Sequence, residues 1–143
     1  MSVPKSKRGP SGMKFIDNAR ELEIFTIQRV AHFPKRYTFL ISNKIADIAV
    51  SIYENVVEGN MLTNLDDDVQ YTSRLHHFRE ALSQCNALVA QLQIANDVFG
   101  IPYHFFEKWI SYIDTEEKLL IGTIRKDSER RKANKKNTWG SGL

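Results

Sequence analysis

Glutamate and histidine three residues apart on a helix project to the same side, and a four-helix scaffold that holds a di-metal carboxylate centre uses one such Glu-x-x-His motif on each of two helices. No glutamate in this chain has a histidine three residues later. His104 and Glu107 keep the spacing in reverse order, once, as a surface or capping pair would. His76 and His77 are adjacent, so on a helix they diverge by about 100° and do not close on one ion. His76 and Glu80, four apart, read as a helix-surface pair. Cys85 is the one cysteine; it sits in an apolar stretch with no neighbouring base, where a thiol packs as a small hydrophobe. Gly59, Gly100 and Gly122 stand alone, so no phosphate-cradling loop is present. The expectation is a protein that is not an enzyme and takes no cofactor, metal or small-molecule substrate.

What remains is charge. Residues 1–14 hold Lys5, Lys7, Arg8 and Lys14 and no acid, and residues 125–143 hold seven cations against Asp127 and Glu129. With a net charge of +3 for the whole chain, residues 15–124 carry −6. Basic ends attract polyanions with a salt-dependent affinity, although solubilising tails have the same composition. Lys35, Arg36, Lys44, Arg74 and Arg79, with the run Arg125, Lys126, Arg130, Arg131, Lys132, Lys135 and Lys136, are the expected contacts to RNA or DNA.

The elements that must position these cations are helices. With 143 residues, 42% of them hydrophobic, the chain fills one domain. A first helix from about Phe15 to Ala31 ends at the Phe33-Pro34 step, because proline disfavours helix in the residue before it. Pro34 then opens a second helix over about Lys35 to Glu58, in which Ile41, Ile45, Ile48, Ile52 and Val56 share one stripe and Gly59 supplies the stop. Asp66, Asp67 and Asp68 start a third helix, at its positive end, and Tyr71, Leu75, Phe78, Leu82, Cys85, Val89 and Leu92 form its seam. Gly100 ends it and Pro102 opens a fourth, with Phe106, Ile110, Ile113, Leu120 and Ile124 on one face. The fold class expected is all-α, an antiparallel up-down-up-down four-helix bundle. Residues 1–14 form a basic disordered tail, 15–131 the bundle, and 132–143 a disordered tail. No apolar run is long enough to span a bilayer and no signal segment is evident, so the expectation is a cytoplasmic protein without membrane contact.

The apolar residues exceed one seam. Ala87, Ala90, Ile94 and Val98 form a second stripe on the third helix, Val50 lies beyond the stripe of the second, and Trp109 stands in an aromatic cluster at the start of the fourth. Val50, Ala87, Ala90, Ile94 and Trp109 are expected at a homo-oligomer interface, the alternative being a wide core stripe. Gly122, inside the fourth helix, points to close helix approach or a kink.

The stretch FPKRYTFLISNKIADIAVSIYENVVEGN and the later FEKWISYIDTEEKLLIGTIRKD resemble the four-helix-bundle family of the accessory variability determinant (Avd) proteins of diversity-generating retroelements, which is related to the ribosomal-RNA intervening-sequence proteins. The similarity covers about residues 15 to 130. The intervening-sequence branch carries Trp in its first helix and Ser-Ile-Pro-Ala-Asn-Ile-Ala-Glu-Gly late in its second; here Ser51-Ile52-Tyr53-Glu54-Asn55-Val56-Val57-Glu58-Gly59 lacks the proline, which places the chain nearer the Avd branch. The resemblance implies a homopentameric barrel, bacterial or phage-encoded, that binds nucleic acid and a reverse transcriptase and supports mutagenic copying of template RNA into cDNA. The alternative is a helical protein-binding scaffold, or an intervening-sequence-type bundle, without direct nucleic-acid binding.

Overall fold

The structure is a computed structural model that describes the backbone of residues 13–141 and the side chains of residues 13–136. The basic segment at residues 1–12, with Lys5, Lys7 and Arg8, lies outside the described residues. Among the described residues there are four α-helices, α1 (Lys14–Val30), α2 (Asn43–Met61), α3 (Asp68–Phe99) and α4 (Tyr103–Ser141), and no strand. None is long and apolar enough to cross a membrane.

Each helix packs on its chain neighbours, and α1 packs on α4. Asn18 near the start of α1 donates to Tyr112 O, while Thr26 near its end meets Trp109, nearer the start of α4, so the two run antiparallel. Arg74, early in α3, reaches Gly59 at the end of α2 and Asp127 late in α4, so the neighbours of α3 are antiparallel to it as well. One core results. Ile45, Ala49, Ile52, Val56 and Gly59 are its share of α2, spaced 4, 3, 4 and 3. On α3 the buried set is Phe78, Ala81, Cys85, Leu88, Leu92 and Ala95, so the inward line runs through Ala81 and Leu88 while Leu82 and Val89 are half-buried beside it. Full burial of an Ile, Leu or Phe side chain contributes about 1.5–3 kcal/mol, which makes this stripe the main reason the helices stay together.

The second helix starts later than its proline indicates. Tyr37 N–H bonds to Pro34 O as a 3-10 turn, and Asn43 N–H then bonds to Thr38 O, five residues back, as a π turn. Regular α2 begins at Asn43, not Lys35. Overwinding followed by underwinding sets Tyr37 on the Phe99 ring and buries Ile41, and it leaves Phe39 and Leu40 outside, 85% and 66% exposed. Gly59 lies within α2 and is not its stop. A Cβ there would lie 2.6 Å from the Phe78 ring, so the position is glycine because two helices touch. The α3–α4 turn is closed by Gly100 at φ 80, with Asn96 accepting from Gly100 N–H through its carbonyl and from Ile101 N–H through its side chain.

Residues 132–141, expected to be disordered, continue α4. Lys132, Ala133, Lys135 and Lys136 are strong helix formers even without an apolar stripe, and Arg131 ties the helix to Leu65 and Asp68 just before this stretch.

Candidate functional site

The twelve cations expected at a nucleic-acid surface divide by what they touch. Arg74 is internal. Its Nε donates to Asp127 Oδ2 at 2.7 Å and Nη2 to Oδ1, while Nη1 donates to the carbonyls of Gly59 and Leu62. The last carbonyls of a helix have no partner within it, and Arg74 supplies one for the end of α2 while its charge is matched by a buried carboxylate. Arg131 does the same for the α2–α3 connection, donating to Leu65 O at 2.7 Å and to Asp68, and lying over the Tyr71 ring. The guanidinium of Arg131 holds the Asp68 carboxyl below the usual carboxylate range. Both arginines are therefore structural clasps, each turning its guanidinium onto acceptors that the fold itself supplies.

The remaining ten are exposed, in three places. Lys35, Arg36 and Lys44 surround the α1–α2 corner, where Arg36 lies over Tyr37. Arg79 stands on α3. Arg125, Lys126, Arg130, Lys132, Lys135 and Lys136 stand on α4. The corner packs near the start of α4 through Phe33 and Trp109, so about 24 Å of helix separates it from Arg125. A single small ligand does not bridge that distance.

Arg125, Lys126 and Arg130 line a groove of about 520 Å³, with Lys118 and with the Arg74–Asp127 pair. That is five cationic side chains and one carboxylate, a net charge of +4. Among the described residues Lys118, Arg125, Lys126 and Arg130 enter no ion pair or hydrogen bond. Gly122 lies on the same wall, and a Cβ built there meets nothing within 4 Å. It meets no neighbouring helix, so of the close helix approach or kink expected of it the close approach is absent. Lys118 and Gly122 were legible as part of this face only through spacing: positions 118, 122, 125, 126 and 130 fall on one side of a helix.

A second feature is buried. Glu116 is fully inside the bundle; its Oε1 accepts from Asn18 Nδ2 at 3.1 Å, and Oε2 has no hydrogen-bond partner among the described residues. Burial pushes its carboxyl up to about 8, only partly opposed by the Asn18 bond. Burial, with Glu116 and Glu117 nearby, also pushes the Cys85 thiol up, so it stays protonated and poorly nucleophilic. No group of three metal-ligating side chains occurs among the described residues. His77 instead meets Asn55 at 3.0 Å and Glu58 at 3.5 Å.

Of the residues expected at an oligomer interface, Trp109 is corrected. It is 0% exposed, packs edge-on to Phe25 and donates its Nε1–H to Thr26 at 2.9 Å, because an indole that satisfies its N–H inside the core gains both packing and the bond. Val50 and Ala87 are half-buried, and Ala90 and Ile94 are exposed, as is Val98. No protein-family model, curated protein or solved structure matches the chain.

Proposed function

We propose that this chain is a non-catalytic accessory protein of a diversity-generating retroelement, acting in the bacterial cytoplasm, that binds the reverse transcriptase and template RNA and supports mutagenic cDNA synthesis. The observation that carries the nucleic-acid part is the row of exposed cations on α4, which presents positive charge on a body that is otherwise acidic. The resemblance of FPKRYTFLISNKIADIAVSIYENVVEGN and FEKWISYIDTEEKLLIGTIRKD to the Avd family supports the retroelement setting. The exposed Ala90, Ile94 and Val98 stripe, with Phe39 and Leu40, supports assembly with further copies into a homopentameric barrel.

Titration with structured RNA at low and moderate salt tests the first part. Binding that weakens steeply with salt is expected, and binding without a salt slope, or none, overturns it. Light scattering tests assembly: a mass near five times 16.5 kDa is expected, and 16.5 kDa at micromolar concentration defeats the barrel. The second reading, a protein-binding scaffold without nucleic-acid affinity, is favoured by Phe39 and Leu40, whose apolar side chains face outward beside the α1–α2 corner.

A further inference from the structure

We propose that the groove on α4 is a binding site for a linear ligand bearing several adjacent phosphates, seated along Lys118, Arg125, Lys126 and Arg130. The proposal deepens the nucleic-acid reading, on which its biological setting rests, by naming where the phosphates go. The groove has the volume of an ordinary ligand pocket, about 520 Å³. Its cations are spread over twelve residues of helix, roughly 18 Å at 1.5 Å per residue, which suits a chain of phosphates better than a single ion. The one carboxylate on its wall, Asp127, is already held by Arg74, so no internal anion competes for the other four cations.

Shape adds to charge. Gly122 leaves the middle of the row open: between Lys118 and Arg125 the helix presents no side chain at this position, and a ligand reaches the backbone there. Met13, Phe15 and Leu119 give the same groove an apolar side, against which a non-phosphate part of the ligand rests. Phosphates from two sources share this chemistry, a nucleic-acid backbone and free inorganic polyphosphate, and the groove takes either by the same cations.

The test uses the full chain with labelled oligouridylate, inorganic tripolyphosphate as competitor, and polyglutamate as a carboxylate control. Two kinds of variant attack the site independently. The pair Lys126→Glu with Arg130→Glu reverses exposed charge; Gly122→Phe fills the groove and leaves charge unchanged, at a position where phenylalanine is a better helix former than glycine. Circular dichroism melting verifies that each folds. The expected result is a loss of about tenfold or more in affinity for both phosphate ligands in both kinds of variant. The salt slope for oligouridylate falls by about 0.7 for each phosphate no longer neutralised.

Tripolyphosphate bound in the groove without oligouridylate supports the site and overturns the nucleic-acid reading. Oligouridylate bound equally by parent and variants overturns the groove and leaves that reading standing. Binding of neither ligand overturns both. Polyglutamate bound in preference to tripolyphosphate overturns the phosphate assignment.

Discussion

Arg74 and Arg131 lie within the same end of the bundle as Lys126 and Arg130, yet the two sets do opposite work. The first pair points at acceptors the fold itself creates: the Gly59, Leu62 and Leu65 carbonyls, Asp127 and Asp68. The second faces no acceptor among the described residues. A cation's role here follows from whether a helix end leaves a carbonyl beside it, and not from its place in a basic run. Arg130 and Arg131 are adjacent in sequence, and the roughly 100° between them on the helix separates a solvent-facing charge from a clasp.

The comparison breaks most sharply at Arg74. Arg74→Ala strands a buried carboxylate and the Leu62 carbonyl and leaves the Gly59 carbonyl only its bond from Leu62 N–H, and a loss of about 3 kcal/mol is expected in denaturant unfolding. A loss under about 0.5 kcal/mol, the size of an ordinary surface substitution, would place Arg74 with the exposed set.

Next in size is Glu116, a buried carboxyl with no cation bound to it. Its folded carboxyl titrates near 8 against an ordinary value near 4.5, so between those pH values the folded state holds a proton that the unfolded state has released. Stability therefore falls as pH rises from 4.5 to 8, and the full penalty is present above 8. Glu116→Gln keeps the shape and removes the titration. The variant is expected to exceed the parent most at about pH 9, with the gap closing towards about pH 5. Parallel stability curves for the two proteins across that range contradict the assignment.

Gly59 and Gly122, both inside helices, give a smaller contrast of opposite sign. Gly59→Ala drives a methyl into the Phe78 ring and is expected to cost about 1–3 kcal/mol. Gly122→Ala enters open space and is expected to stabilise by about 0.5–1 kcal/mol, since only the helix preference of alanine changes. Thermal melting of both variants checks the pair, and a shift of the same sign in both removes the distinction.

The helices were legible because apolar spacing, Gly100 and Pro102 agree on where they lie, whereas Pro34 marks the turn and not the start of regular α2. Which of two neighbouring stripes faces inward was not: α3 offers Leu82 and Val89 beside Ala81 and Leu88, and only the partners from α2 and α4 choose between them. Trp109 read as interface because it stands in an aromatic cluster that exceeds one seam, and Thr26, 83 residues away, is what satisfies its N–H inside the core. The cations were visible in the sequence, and their division was not, because the acceptors that hold Arg74 arrive from α2 and α4. Glu116 gave no signal at all; its partner Asn18 is 98 residues distant.

The most direct test sets Arg74→Ala beside Arg130→Ala, measuring the melting temperature of both and the oligouridylate affinity of the second. The account predicts that Arg74→Ala melts well below the parent, whereas Arg130→Ala melts with the parent and binds oligouridylate more weakly. Parent-like melting of Arg74→Ala, or an Arg130→Ala variant that melts early or keeps its full affinity, would contradict the division between clasp and exposed cation.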